Sequence, residues 1–143
     1  MIKKNTEKKI SARSEHFKKI RARRTLAIAE DYTELVADLI ETKGNVKVCD
    51  IAQNMGVSHV SVLRTLKRLV RDGYLTYDAL RCIELTQKGK EVAVFSKQKH
   101  LVLTEFFLRL GVPGHIVATD VEGIEHYISP TTLEALIAHM CTF

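Results

Sequence analysis

Residues 47–72 read KVCDIAQNMGVSHVSVLRTLKRLVRD. The stretch divides into a short helix carrying Ile51, Ala52 and Met55, a turn at Gly56-Val57, and a longer helix. Ser58 is placed to cap the longer helix, since its hydroxyl can accept an orphan backbone N–H. This is a helix-turn-helix layout. In the second helix Val62, Leu66 and Leu69 recur at i, i+4 and i+7, which predicts an inward face and leaves His59, Ser61, Arg64, Thr65, Lys67 and Arg68 outside. Short hydroxyls suit phosphates and base edges, and an Arg can reach a guanine bidentately. Ser58, His59, Val60, Ser61, Arg64, Thr65 and Arg68 are therefore the candidate DNA-binding residues.

Working outward, Tyr74–Tyr77 and Arg81–Leu85 read as two strands joined by Asp78-Ala79-Leu80. A hairpin directly after a helix-turn-helix makes a winged helix, whose usual partner is duplex DNA. Winged folds also serve as protein-interaction modules. The charge distribution points to DNA: residues 1–24 hold ten Lys/Arg against two Glu, a net +8, while the remaining 119 residues carry −3. A clustered positive field attracts polyanions. This arm reads either as a disordered DNA-tracking tail or, over Ser14–Arg24, as helix continuing into the first helix of the body.

That first helix is marked by the absence of Gly and Pro from Ile20 to Glu41 and by Tyr32, Leu35, Val36, Leu39 and Ile40 at helical spacing. Lys43-Gly44 ends it. Asp31, Glu34, Asp38 and Glu41 fall on its opposite side, which taken alone reads as a solvated acidic face. The C-terminal third is helical too. Thr86 caps a long helix to about Leu110, with Val92, Phe95, Leu101, Leu103, Phe106, Phe107 and Leu110 as a broad apolar surface. Gly111-Val112-Pro113-Gly114 breaks it. A second helix follows from Ile116 to Ile128, and a third starts at Ser129-Pro130, with Pro at the first helical position. So much apolar surface on so short a unit suggests a face shared in a homodimer, as two-fold DNA sites require. The fold class expected is mainly α: an N-terminal winged helix-turn-helix followed by a helical dimerisation domain.

With 143 residues, 45% hydrophobic and 27% charged, the chain suits one compact domain or two very small ones, and a large multi-domain enzyme is excluded. Cys49, Cys82 and Cys141 form no CxxC pair, so no zinc knuckle or disulfide framework is suggested. No apolar run approaches the ~18 residues of a membrane span, and no signal-peptide pattern opens the chain. A cytoplasmic protein is expected, without a membrane partner.

The run Asp120-Val121-Glu122-Gly123-Ile124-Glu125-His126 is the most informative chemically. On a helix, Glu122, Glu125 and His126 stand at i, i+3 and i+4 on one face, with Val121, Ile124 and Ile128 opposite. Taken alone this is more often a solvated face than a metal site. It matches neither the HExxH of zinc proteases nor the ExxH of di-iron bundles.

Together with the winged helix, Glu30-Asp31-Tyr32-Thr33-Glu34 and His100, this run resembles the DtxR (diphtheria toxin repressor) family of metal-dependent repressors, in register from about Ala27 to the C-terminus. The resemblance implies that Asp31, Glu34, His100, Glu122, Glu125 and His126 hold about two Mn²⁺ per chain, as in the family's manganese members. Iron-responsive members carry Met and Cys where Asp31 and Glu122 stand. They also use an ancillary site with Glu and His at the positions of Thr104 and Ala118. The SH3-like extra domain of larger members is expected to be absent. At the recognition helix the match is partial, since members commonly have Pro at the position of Val60 and Lys or Gln at that of Arg64.

Ligand chemistry agrees, because carboxylates suit hard ions, imidazole is tolerated, and no thiolate is offered. The resemblance implies a Mn²⁺-responsive repressor of manganese uptake genes, acting on double-stranded operator DNA as a homodimer with metal as corepressor. Two other readings stand beside it: a winged-helix repressor answering to iron, zinc or a small organic ligand, and a metal-dependent hydrolase. A hydrolase would need an open coordination position and a polar substrate pocket, and the sequence displays neither. No enzyme is expected, and no catalytic residue is assigned. The division expected is a basic arm (1–25), a winged helix-turn-helix domain (26–86) and a metal-binding and dimerisation domain (87–143).

Overall fold

The protein is described here by a computed structural model covering residues 2–80 and 82–142. Its first element is a single helix, α1 (Ile2–Lys43), of 42 residues. No Gly or Pro interrupts it, and Lys, Arg, Glu and Ala, all strong helix formers, dominate its first half. The arm is thus helical well beyond Ser14–Arg24, and from Lys3 to Ala22 it is exposed on every side. Burial begins at Ala27 and then follows Ala29, Tyr32, Val36 and Leu39. Gly44, at φ +77°, takes the left-handed conformation that ends the helix.

The helix-turn-helix consists of α2 (Val48–Met55) and α3 (His59–Arg71). Gly56 makes the turn at φ +65°, and the Ser58 hydroxyl accepts from the Ser61 backbone N–H at 3.2 Å. Val62, Leu66 and Leu69 are buried to 1% exposure or less against Ile51, Ala52, Val36 and Leu39, as their spacing predicts. The wing is β1 (Leu75–Tyr77) and β2 (Ile83–Leu85), paired antiparallel with Leu75 opposite Leu85 and Tyr77 opposite Ile83. Leu75 and Ile83 close the core of this half. Arg81, expected at the head of the second strand, lies outside the described residues.

Helix α4 (Gln87–Arg109) leaves the wing with Thr86 as its cap, the hydroxyl accepting from Gly89 N–H at 3.0 Å. Its buried stripe is Gly89, Ala93, Ser96, Lys99 and Leu103. Leu101 and Leu110 are each 62% exposed, and of the seven expected residues only Leu103 is buried. The reason is that the first half of α4 packs along the acidic side of α1, so its inward positions are small or polar. The supposed solvated face of α1 is in fact part of this seam: Ser96 donates to Glu34 and Lys97 pairs with Asp38.

Past the break, where Gly111 stands at φ +85°, come α5 (Gly114–Ile124) and α6 (Pro130–Met140). Ser129 caps α6 through the Thr132 N–H, with Pro130 at its start. Leu103, Val117 and Val121 form a second, smaller core with Phe107, Ile124 and Leu136 packed against it.

Candidate metal centre and DNA-binding face

The expected helix to Ile128 stops at Ile124, and Glu125–Tyr127 form a 3-10 turn. A residue before proline is driven away from helical backbone, so the chain must leave the helix ahead of Ser129-Pro130, and its last turn tightens. Glu122, Glu125 and His126 therefore do not share one α-helical face. Glu122 stays exposed on α5, while the turn rolls Glu125 and His126 inward to 3% and 7% exposure.

Two clusters result. Asp31 of α1 meets Glu125 and His126, and His100 of α4 meets Glu122 and Glu125; in each, one donor atom per residue lies within 4.8 Å of the others. His126 Nε2 is 2.7 Å from Asp31 Oδ1 and 3.5 Å from Glu125 Oε1. His100 Nδ1 is 2.7 Å from Glu125 Oε2 and 3.8 Å from Glu122 Oε1. Glu125 thus offers one oxygen to each cluster. Hard oxygen donors with one imidazole in each set suit a small divalent ion of the Mn²⁺ type, and the spacing lets one ion touch all three donors of a cluster. Of the six expected ligands, five are brought together. The sixth, Glu34, belongs to neither cluster, because its Oε2 accepts from the buried Ser96 hydroxyl at 2.8 Å.

The electrostatics follow from this packing. Hydrogen bonds to Asp31 and then to Glu30 outweigh burial and raise the His126 imidazole from 6.5 to about 10. Burial raises Glu125 above the usual carboxylate range, opposed by the hydrogen bond from His100. Sequence reasoning gave no role to Glu30, Ser96 or Lys99. Glu30 and Lys99 are buried at 2% and 1% exposure and paired at 2.6 Å, and Glu30 Oε2 also lies 2.7 Å from His126 Nδ1. The signal available was the Lys itself, standing in register with Ala93, Ser96 and Leu103. The Arg23 guanidinium donates to the Tyr127 carbonyl, tying the base of the arm to the same 3-10 turn.

On α3, His59, Val60, Ser61 and Arg64 are exposed together with Ser58 before them, and Thr65 is half-buried. The Ser58 and Ser61 hydroxyls lie 3.2 Å apart within the cap. Arg68 differs from the expected exposed residue. Its guanidinium is partly enclosed, and Nε and Nη2 are buried without a hydrogen-bond partner.

Fold and site define a class: a winged-helix DNA-binding module joined to a helical module with a carboxylate and imidazole centre between them. Residues 25–82 match the profile of the iron dependent repressor, N-terminal DNA binding domain, and residues 86–142 that of the iron dependent repressor, metal binding and dimerisation domain. The chain belongs to the iron-dependent repressor family, and is a DNA-binding transcriptional regulator with a metal-binding domain. It is 36% identical over 124 residues to the transcriptional regulator MntR of Salmonella typhimurium, covering 87% of this chain and 79% of that one. It is 37% identical over 107 residues to the HTH-type transcriptional regulator MntR of Bacillus subtilis, covering 75% of each. Among solved structures, the manganese regulator SloR matches with a TM-score of 0.69 and 26% identity over 78% of this chain. The chain spans about half the length of that protein (53%).

Proposed function

We propose that the protein is a Mn²⁺-responsive repressor that binds operator DNA as a homodimer in the cytoplasm, controls manganese uptake genes, and has no enzymatic activity. The observation that carries this reading is the pair of clusters sharing Glu125, built from residues on both sides of the molecule. Asp31, Glu125 and His126 would hold one ion, and His100, Glu122 and Glu125 a second. Glu34 would complete the set by turning its carboxylate from Ser96. The ions supply positive charge: four carboxylates, those of Asp31, Glu34, Glu122 and Glu125, repel one another in the metal-free centre, and two divalent ions neutralise them.

The division into a basic arm (1–25), a winged-helix domain (26–86) and a metal-binding and dimerisation domain (87–143) assigns the ligands across that boundary. Asp31 and Glu34 lie in the DNA-binding half, and His100, Glu122, Glu125 and His126 in the other. Filling the centre pins the halves together. In a dimer this sets the separation of the two α3 helices, which must be near ~34 Å to enter successive major grooves. Metal acts as corepressor by binding the DNA-competent arrangement better. Leu101, Leu110 and Ile116, exposed at 62%, 62% and 42%, support a face covered by a second copy. On α3, Ser58, His59, Val60, Ser61, Arg64, Thr65 and Arg68 are the DNA-contacting set.

The reading is tested by calorimetry of Mn²⁺ binding together with gel shifts on the protein's own promoter region. About two ions should enter each chain, and Mn²⁺ should raise DNA affinity at least tenfold, with Fe²⁺ and Zn²⁺ run in parallel. Glu125→Ala, which removes the donor common to both clusters, should abolish the response. DNA affinity indifferent to Mn²⁺ sinks the reading.

A further inference from the structure

Outside the two clusters, the buried polar residues of the α1–α4 seam are Glu30, Thr33, Ser96 and Lys99. Thr33 spends its hydroxyl on its own helix, donating to the Ala29 carbonyl at 2.7 Å, and Ser96 holds Glu34. Glu30 and Lys99 remain. A buried ion pair is a poor stabilising device, because desolvating both charges commonly offsets their attraction. Their placement calls for another role, and Glu30 Oε2 shows one. It lies 2.6 Å from Lys99 Nζ and 2.7 Å from His126 Nδ1. An ionised carboxylate only accepts, so Nδ1 must carry a proton and donate. That leaves Nε2, facing Asp31 and Glu125, as the nitrogen free to become a donor to metal.

The chain order supports the arrangement. Glu30 directly precedes Asp31 on α1, and Lys99 directly precedes His100 on α4. Each helix therefore delivers one residue to a cluster and, one position earlier, one member of the ion pair behind it. Charge supports it as well. Without Lys99, a fifth carboxylate would face a centre whose four already match two divalent ions.

We propose that Glu30 is a positioning residue for the metal centre: it fixes His126 with Nδ1 protonated and Nε2 presented to the ion. Lys99 holds Glu30 in that role by keeping its carboxylate from turning inward as a further ligand. This rests on the metal-centre reading above. Outer partners of metal-bound imidazoles commonly contribute ~10–100-fold to affinity.

The test uses the full chain and two variants that remove the acceptor, Glu30→Ala and Glu30→Met/Lys99→Met. Mn²⁺ affinity is measured by calorimetry, metal-free melting by circular dichroism, and the His126 ring ¹⁵N shifts in the Zn²⁺-loaded protein by NMR. The wild type should show a protonated Nδ1 and a metal-bound Nε2. The double variant, with the buried charges removed together, should melt at or above the wild-type temperature yet bind Mn²⁺ ~10–100-fold more weakly. Its His126 shifts should lose the single Nε2-bound form. Glu30→Ala alone supplies the same affinity and shift comparison should the double variant fail to fold. Wild-type affinity and unchanged His126 shifts in a folded variant overturn this inference alone. A wild type that takes up no Mn²⁺ overturns the metal-centre reading and this inference with it.

Discussion

His126 shows how far a residue's chemistry depends on what faces it. In the metal-free protein its imidazole, unperturbed near 6.5, is raised to about 10 by hydrogen bonds to Asp31 and Glu30. A raised folded-state value favours the protonated fold. The stabilisation is complete below about 6.5, declines above it, and is lost as pH passes through about 10. Urea unfolding of metal-free protein should therefore show stability falling from pH 6.5 to 10, with the decline much reduced in His126→Gln. An equal decline in that variant would remove His126 as the cause. The donor types at positions 31, 100, 122, 125 and 126 were legible in the sequence, because carboxylate and imidazole are fixed by residue identity. The inward turn of Glu125 and His126 was not. It depends on the helix giving way to a 3-10 turn ahead of Pro130, which a strict 3.6-residue periodicity does not anticipate.

Among the elements, the joint between wing and α4 leaves no room for a side chain at Gly89. A Cβ added at Gly89 would sit 2.1 Å from the Tyr74 carbonyl oxygen, the same oxygen that accepts from the Thr86 backbone N–H at 3.1 Å and its hydroxyl at 3.0 Å. Gly89→Ala should therefore destabilise by about 1–3 kcal/mol, despite the gain in helix propensity, because backbone must move. Gly123→Ala, with nothing within 4 Å of the added carbon, should instead stabilise by about 0.5–1 kcal/mol. Urea midpoints of the two variants check both signs. The helix-turn-helix, the wing and three caps, at Ser58, Thr86 and Ser129, were legible because local chemistry decides them. The inward face of α4 was not legible, since Lys99 and Ser96 are buried only by virtue of the acidic helix opposite.

At the scale of the whole molecule, the basic arm and the centre divide the charge. The arm carries a net +8 as a helix exposed on all sides up to Ala22, so in a DNA complex it should bind phosphates along the duplex. Deleting residues 2–22, which keeps the Arg23 tie to the 3-10 turn, should flatten the dependence of DNA affinity on salt by about 0.9 in log–log slope for each phosphate that the arm neutralises. Mn²⁺ uptake should stay unchanged in that variant. A slope equal to that of the full chain would leave the arm without a part in binding. On the proposed function, two Mn²⁺ would neutralise the carboxylates of Asp31, Glu34, Glu122 and Glu125, and the formal charge of residues 25–143 would move from −3 to +1. By itself the sequence determined which chemistry is available: a helix-turn-helix from apolar spacing and turn residues, a cationic arm, and hard ligands without thiolates. These follow from residue identity and local backbone preference. Only the tertiary structure decided which carboxylates converge, that Glu125 offers an oxygen to each of two clusters while Glu34 is drawn aside by Ser96, and that Glu30 and Lys99 stand behind His126. Such relations join residues up to 96 positions apart, and only packing α1 against α4 and the 3-10 turn brings them within bonding distance.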